Sequence, residues 1–214
     1  MYEAVLFDFD DTLVDTKGSK IPAIIEYCRT VHGADVSFEQ VSHFWGIPFL
    51  QMMRELTHCQ DIYIERYLEI SERYSLMPFP ESHITLRALA QRVPIGIVTS
   101  VARSVLLHSL AALNWDPQWF SVLVAEDDVE VHKPDPRVFK PALQALQITD
   151  ARRHTVVYVG DSLSDGKAAI SAGLRFIGIA RDTKGVRLFE AEGWQWCSSL
   201  EEIPRTVMPD DSRG

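Results

Sequence analysis

The stretch that most constrains this chain is Ala4-Val5-Leu6-Phe7-Asp8-Phe9-Asp10-Asp11-Thr12-Leu13-Val14-Asp15-Thr16. A short, uninterrupted apolar run climbs into Asp8, and a second carboxylate, Asp10, follows two residues on. Apolar residues without polar alternation suit a strand covered on both faces, the condition of a parallel sheet lying under helices. Such sheets take their ligands past the carboxyl ends of the strands, where Asp8 emerges. Two residues along a strand also return a side chain to the same face, so Asp8 and Asp10 are expected to reach one reacting group. Taken alone, the pair fits a solvated turn equally well.

Three later stretches repeat the theme. Val93-Pro94-Ile95-Gly96-Ile97-Val98-Thr99-Ser100 is an apolar run ending in hydroxyls, and Val131-His132-Lys133-Pro134-Asp135-Pro136 sets a lysine before a proline-punctuated helix start. Thr155-Val156-Val157-Tyr158-Val159-Gly160-Asp161-Ser162-Leu163-Ser164-Asp165 is a third apolar run, closing on Gly and two carboxylates. Strands are expected at residues 4–9, 94–99, 122–125, 155–160, 175–180 and 194–197, with helices between them, as a βαβ architecture requires. Phe139, Ala142, Leu143 and Leu146 share helical spacing, as do Val105, Leu106, Ser109 and Leu113. Gly173 is placed to close the helix that begins near Ser164.

Residues 16–77 read differently. Ile21, Ile24, Ile25 and Cys28 make one apolar helical stripe, Leu50 and Met53 with Met52 or Leu56 a second, and Ile64, Tyr67, Leu68 and Ser71 a third. Helices without a strand signal, lying between the first and second strands, make a separate helical piece. Pro78-Phe79-Pro80 reads as its extended return linker. Residues 208–214 are short, charged and expected to fray.

The ordered set DFDDTL, VTS, HKPDP and GDSLSD resembles the four motifs of the haloacid dehalogenase superfamily, most of all its phosphoglycolate phosphatase and pyrophosphatase branch. The resemblance runs from Val5 to about Ile203. It implies an α/β fold: a three-layer, Rossmann-like parallel-sheet core from residues 1–15 and 81–214, with an inserted all-helical cap domain at residues 16–80. In the resembled family the cap covers the active site and shapes substrate choice.

Residue chemistry supplies the roles. Asp8 is the expected nucleophile, whose carboxylate attacks phosphorus to give an aspartyl phosphate and splits one hard hydrolysis into two easier steps. Asp10 is the expected general acid for the leaving oxygen and then the base that activates water. Asp8, Asp10, Asp161 and Asp165 gather negative charge around an anionic substrate. Like charges about 4 Å apart repel by roughly 4 kcal/mol at an effective dielectric near 20, so a cation is needed, and Mg²⁺ suits hard oxygen ligands. By the resemblance, Asp8, the backbone carbonyl of Asp10 and Asp161 are the metal ligands, with Asp165 a direct or outer-shell partner. Asp165 also fits a helix N-terminal carboxylate. Thr99 is expected to donate its hydroxyl to the phosphoryl oxygens, with Ser100 beside it, although an ordinary helix cap is the plainer role. Lys133 is expected to orient Asp8 and offset transition-state charge. Arg54 is a candidate for a substrate carboxylate or second phosphate. Gly46-Ile47-Pro48, with Trp45 and Phe49, reads as a cap loop or helix start, the aromatics as cap core.

Departures from the family pattern sharpen the expectation. Asp11 stands where the resembled phosphatases commonly have Gly, and the glycine of their Pro-x-Pro-Gly cap return is absent around Ser82-His83. Asp10 argues for phosphate over halide chemistry. Only Lys17 and Lys20 occur between Thr16 and Pro80, both at the cap entrance, which disfavours a Schiff-base phosphonatase. The reading is a Mg²⁺-dependent phosphatase of a small phosphorylated metabolite. Its alternatives are a phosphosugar mutase of the same superfamily, or a non-enzymatic phospho-acceptor such as a receiver domain. The helical insert and the Asp161/Asp165 pair count against the latter.

Composition excludes other classes. With 214 residues, 46% hydrophobic and 24% charged, the chain can bury one large core or a core with an accessory domain. A net charge of -9 disfavours nucleic acid or an anionic membrane as partner. Cys28, Cys59 and Cys197 lack zinc or CxxC spacing and are expected to be thiols filling apolar gaps. With no signal-peptide pattern and no membrane-length apolar run, the expected setting is the cytoplasm, as monomer or homodimer.

Overall fold

The computed structural model describes residues 2–45 and 49–207. The chain runs β1 (Ala4–Phe7), β2 (Val14–Asp15), α1 (Thr16–His32), α2 (Phe38–His43), α3 (Phe49–Thr57), α4 (Ile64–Ser71) and β3 (Met77–Pro78). It continues through α5 (Ser82–Ala90), β4 (Ile95–Val98), α6 (Arg103–Ala112), β5 (Phe120–Val124), α7 (Lys140–Ala145) and β6 (Val156–Gly160). The remainder is α8 (Leu163–Ser171), β7 (Arg175–Ile179), α9 (Thr183–Glu192), β8 (Trp196–Cys197) and α10 (Ile203–Val207). Two compact units result: Met1–Val14 with Pro78–Gly214, and Asp15–Met77, with β2 and β3 at the two crossing points.

The larger unit is built on a six-stranded parallel sheet of order β5-β4-β1-β6-β7-β8. Every residue of β1 and β6 is buried, as expected of continuous apolar strands under helices on both faces. Val5 is in register with Ile95 on one side and Val157 on the other, which fixes β1 at the centre. Chain order runs outward from β1 in both directions, so the sheet has its topological switch point there, where α/β sheets bind ligands. One face packs Leu6, Val98, Tyr158, Phe139, Ala168 and Phe189 into a single core.

Several boundaries differ from the sequence reading, each for a physical reason. The first strand ends at Phe7 rather than Phe9, because Asp8 turns into the loop after a last sheet bond from its N–H to the Val159 carbonyl at 2.9 Å. The same-face argument for Asp8 and Asp10 therefore does not apply, since both lie past the strand. Asp10 is held instead by a bridge to Val14. β5 starts at Phe120, two residues early, where Ile95 takes Phe120 as partner across a register shift. The Phe139 helix begins as a tight 3₁₀ turn, Pro136–Phe139, before α7. Gly173 adopts φ +81 just beyond α8, a left-handed geometry that Gly takes without strain.

A clamp in this unit joins the segment after β1 to the segment after β3. Arg181, just past β7, donates to Glu81 Oε1 at 2.8 Å and to the Thr12 carbonyl at 3.2 Å. Its guanidinium stacks 3.3 Å from the Phe79 ring centroid. Ser82 Oγ and the Phe79 N–H both donate to the Leu13 carbonyl, at 2.7 and 3.2 Å. Glu81 sits in a right-handed conformation at φ -83, so no glycine is required at this return.

The second unit is helical. Asp15 caps α1, its Oδ1 accepting the Gly18 N–H at 2.7 Å, and a Cβ on Gly18 would lie 2.1 Å from the Asp15 carboxylate. Ile21, Ile24, Tyr27, Cys28, Met53 and Leu56 form its core, with Trp45 packed against it. The second and third stripes are corrected in part: Leu50, Ile64 and Leu68 are exposed, and Ile70 is the buried residue of α4. Tyr67 meets Tyr27 edge-on at 5.9 Å, which turns the 67–70 side of the helix inward. Gly46, Ile47 and Pro48 lie outside the described residues, as do residues 208–214.

Candidate active site

Adjacent strands deliver three candidate groups to one end of the sheet. β1 lies between β4 and β6, and Asp8, Thr99 and Asp161 each follow the last residue of one of these strands. Lys133 arrives from the loop ahead of the 3₁₀ turn, its peptide bond to Pro134 being cis.

Lys133 joins the groups together. Its Nζ donates to Asp8 Oδ1 at 2.7 Å, to Asp165 Oδ1 at 2.7 Å and to the Tyr158 hydroxyl at 3.0 Å. The Lys133, Asp8 and Asp165 side chains are 8%, 10% and 1% exposed, so water screens these charges poorly. Burial alone would lower the Lys133 pKa, but Asp165 and Asp8 outweigh it and raise the ammonium well above the ordinary lysine value. Burial raises the Asp8 carboxyl well above the usual carboxylate range, with Lys133 opposing and Asp165 and Asp161 adding to it. Lys133 donates to two of the three clustered carboxylates, Asp8 and Asp165, so its single ammonium leaves the cluster short of positive charge. A carboxylate oxygen from each of Asp8, Asp161 and Asp165 lies within 4.8 Å of the others. This hard, all-oxygen donor set, short of positive charge, fits a small divalent cation such as Mg²⁺.

Asp165 uses its two oxygens differently. Oδ1 faces Lys133, while Oδ2 accepts from the Ser162 N–H at 3.0 Å and hydroxyl at 2.5 Å. Ser162 Oγ accepts the Asp165 N–H at 3.2 Å, completing a capping box for α8. Capping and site contact thus fall on separate oxygens of one carboxylate. Gly160 makes room for it, since a Cβ there would stand 2.7 Å from Asp165 Cβ and Cγ.

The other candidates take distinct places. Thr12 Oγ1 donates to Asp161 Oδ1 at 3.2 Å. Asp11 adopts φ +55, a left-handed geometry that Asp tolerates better than most residues. Thr99 is buried, its N–H bonded to the Val124 carbonyl and its Oγ1 accepting the Val101 N–H at 3.3 Å. It does not cap α6, whose N-cap position is Ala102. Ser100 is exposed beside it. Arg54 lies on α3 of the second unit, exposed, with its Nε donating to the Gln60 carbonyl at 3.3 Å. Burial pushes the Cys28 and Cys197 thiols up to about 11, which keeps them protonated and poor nucleophiles. Tyr158, Ser162 and Thr12 carry no role in the sequence reading. The available signal for Tyr158 is a lone hydroxyl inside an otherwise aliphatic run.

The parallel sheet has its switch point at β1 and carries a lysine–carboxylate cluster beyond the strand ends, and comparison with known proteins gives the family. The family model for haloacid dehalogenase-like hydrolases matches residues 5–179. The chain belongs to that family and is an enzyme, a hydrolase. Pyrophosphatase PpaX of Bacillus pumilus is 31% identical over 189 residues, covering 85% of this chain and 84% of the relative. Phosphoglycolate phosphatase of Photorhabdus laumondii is 27% identical over 192 residues, covering 82% and 79%. The crystal structure of a family IA, variant 3 HAD hydrolase from Entamoeba histolytica shares the fold, with a TM-score of 0.77, 21% identity and coverage of 96% and 97%. Among the described residues no helix is long and apolar enough to cross a membrane.

Proposed function

We propose that the protein is a Mg²⁺-dependent phosphatase that hydrolyses a small phosphate monoester through an aspartyl phosphate on Asp8. The observation that carries this reading is the buried Lys133 ammonium held 2.7 Å from both Asp8 and Asp165, with Asp161 completing a carboxylate cluster that one lysine does not neutralise. Asp8, Asp161 and the Asp10 carbonyl would hold the cation, with Asp165 in the outer shell because both its oxygens already have partners. When bound, Mg²⁺ supplies positive charge against the phosphoryl oxygens and lets an anionic substrate approach three carboxylates.

Asp8 attacks phosphorus; the bond from its carboxylate oxygen to phosphorus forms as the bond to the leaving oxygen breaks. Asp10 gives its proton to that oxygen. It then takes a proton from water, whose oxygen attacks the aspartyl phosphate, releasing inorganic phosphate and restoring the Asp8 carboxylate. Lys133 fixes the orientation of Asp8 and offsets the charge that develops, and Thr99 donates its hydroxyl to a phosphoryl oxygen. The helical unit serves as a specificity cap, and Arg54 is its candidate contact to substrate. Three free thiols agree with a reducing, cytoplasmic setting.

The test is phosphate release from a panel holding phosphoglycolate, pyrophosphate, sugar phosphates and nucleotides, with Mg²⁺ and with chelator. Metal-dependent release from at least one small ester is expected. Transfer of phosphate within a sugar phosphate instead of release would identify a mutase. No turnover of any ester would overturn the reading.

A further inference from the structure

We propose that Tyr158 is a positioning residue for Lys133, fixing the ammonium that orients Asp8; this rests on the phosphatase reading above. Val156, Val157, Tyr158 and Val159 are all fully buried, so a phenol hydroxyl there must find partners or pay a desolvation penalty. Packing alone would be served by Phe, since the ring lies edge-on to Phe139 at 4.7 Å, within the core.

The hydroxyl's partners explain its presence. It lies 2.8 Å from the Val98 carbonyl, 3.0 Å from Lys133 Nζ and 3.3 Å from Asp165 Oδ1. A phenol has one proton, and the shortest contact, to the carbonyl, takes it. The oxygen is then an acceptor for Lys133. An ammonium has three N–H donors, and Asp8, Asp165 and Tyr158 supply one acceptor each. With the two anions alone, the third N–H would be left buried without an acceptor. The third, neutral acceptor sets its direction without adding charge to a cluster already too negative. Val98 is the last residue of β4 and precedes Thr99, so Tyr158 also ties the lysine to the strand end that presents that hydroxyl.

The experiment is Tyr158→Phe, which keeps the ring and removes only the hydroxyl, followed in single-turnover rapid quench with enzyme in excess over p-nitrophenyl phosphate and Mg²⁺. Loss of one hydrogen bond to a charged group predicts a saturating rate constant about 10- to 100-fold lower, with full amplitude and a half-saturating enzyme concentration within about twofold of wild type. A purely structural role would instead lower the amplitude and leave the rate constant of the surviving molecules unchanged, and that result overturns the proposal. So does a variant within about twofold of wild type in rate. A second arm reads the contact without turnover. Tyr158→Phe should lower Tm less in a Lys133→Met background than in wild type, because the partner is already gone; Lys133→Ala, which also removes the donor, serves if Lys133→Met does not fold. Equal Tm losses in both backgrounds contradict the coupling. Wild-type protein that turns over no ester, yet shows this coupling, overturns the phosphatase reading and upholds the Tyr158–Lys133 contact.

Discussion

Asp165 shows how much one side chain does here. It caps α8 through Oδ2 and holds Lys133 through Oδ1. Asp165→Asn keeps the shape and a carbonyl acceptor but removes the charge, leaving Lys133 with one anionic partner. The expected outcome is a fall in kcat of about 10²-fold or more with a stability loss of only about 1 kcal/mol, read by steady-state kinetics beside thermal unfolding. A stability loss with no kinetic effect would show that Asp165 only caps. At this scale the sequence shows which residue types cluster, because carboxylates, a hydroxyl and a lysine at strand and helix starts have few other reasons to recur in that order. It does not show the hydroxyls of Tyr158, Thr12 and Ser162, whose roles depend on partners 25, 149 and 3 residues away. Only Tyr158 stands out locally, as a polar group in an aliphatic strand.

Among the elements, two junctions carry the site. The turn from β6 into α8 depends on Gly160, where an added methyl would stand 2.7 Å from Asp165. Gly160→Ala is expected to displace Asp165 and lower kcat by about 10-fold or more; wild-type kinetics would show that the turn relaxes without moving the carboxylate. The second junction is the Arg181 clamp. Arg181→Ala removes a ring stack and two hydrogen bonds, and is expected to lower stability by about 2 kcal/mol in chemical denaturation. Burial would raise the Glu81 pKa, but its hydrogen bonds, chiefly from Arg181, bring it below the ordinary glutamate value of 4.5. A carboxyl depressed in the folded state contributes stability above its unfolded pKa and loses it as pH falls through the folded value. The Tm advantage of wild type over Glu81→Gln should therefore be full above 4.5 and shrink with further acidification. An advantage that grows in acid would reverse the assignment. Strand positions were legible because buried apolar runs have one use in a parallel sheet. The inward face of α4 was not, since Ile64, Tyr67, Leu68 and Ile70 offer two apolar stripes and only the Tyr27 ring decides between them. Nor was the clamp, which joins residues distant in sequence.

The whole molecule is a parallel-sheet unit carrying the reactive cluster, with a helical unit inserted after its first strand. If the insert selects substrate, replacing residues 16–77 with a short linker should leave phosphate and metal binding intact and change the preference across the ester panel. An unchanged preference would remove the insert from specificity. The charge deficit of the Asp8, Asp161 and Asp165 cluster is the basis of the proposed dependence on a divalent cation. Chelation should abolish turnover and Mg²⁺ restore it, while Ca²⁺, with its larger and higher-coordinate shell, should inhibit. Full activity after exhaustive chelation would contradict the charge argument.

Rapid-quench detection of phosphoenzyme distinguishes the two aspartates: Asp8 as the residue that becomes covalently phosphorylated, Asp10 as the one that manages the protons. With p-nitrophenyl phosphate, whose leaving group needs no proton, Asp10→Asn should form phosphoenzyme and fail to clear it, accumulating a stoichiometric burst because general base help worth about 10²–10⁴-fold is lost. Asp8→Asn should form none and turn over nothing. Covalent phosphate on the Asp8→Asn protein, or turnover of alkyl phosphates by Asp10→Asn at the wild-type rate, would contradict the account.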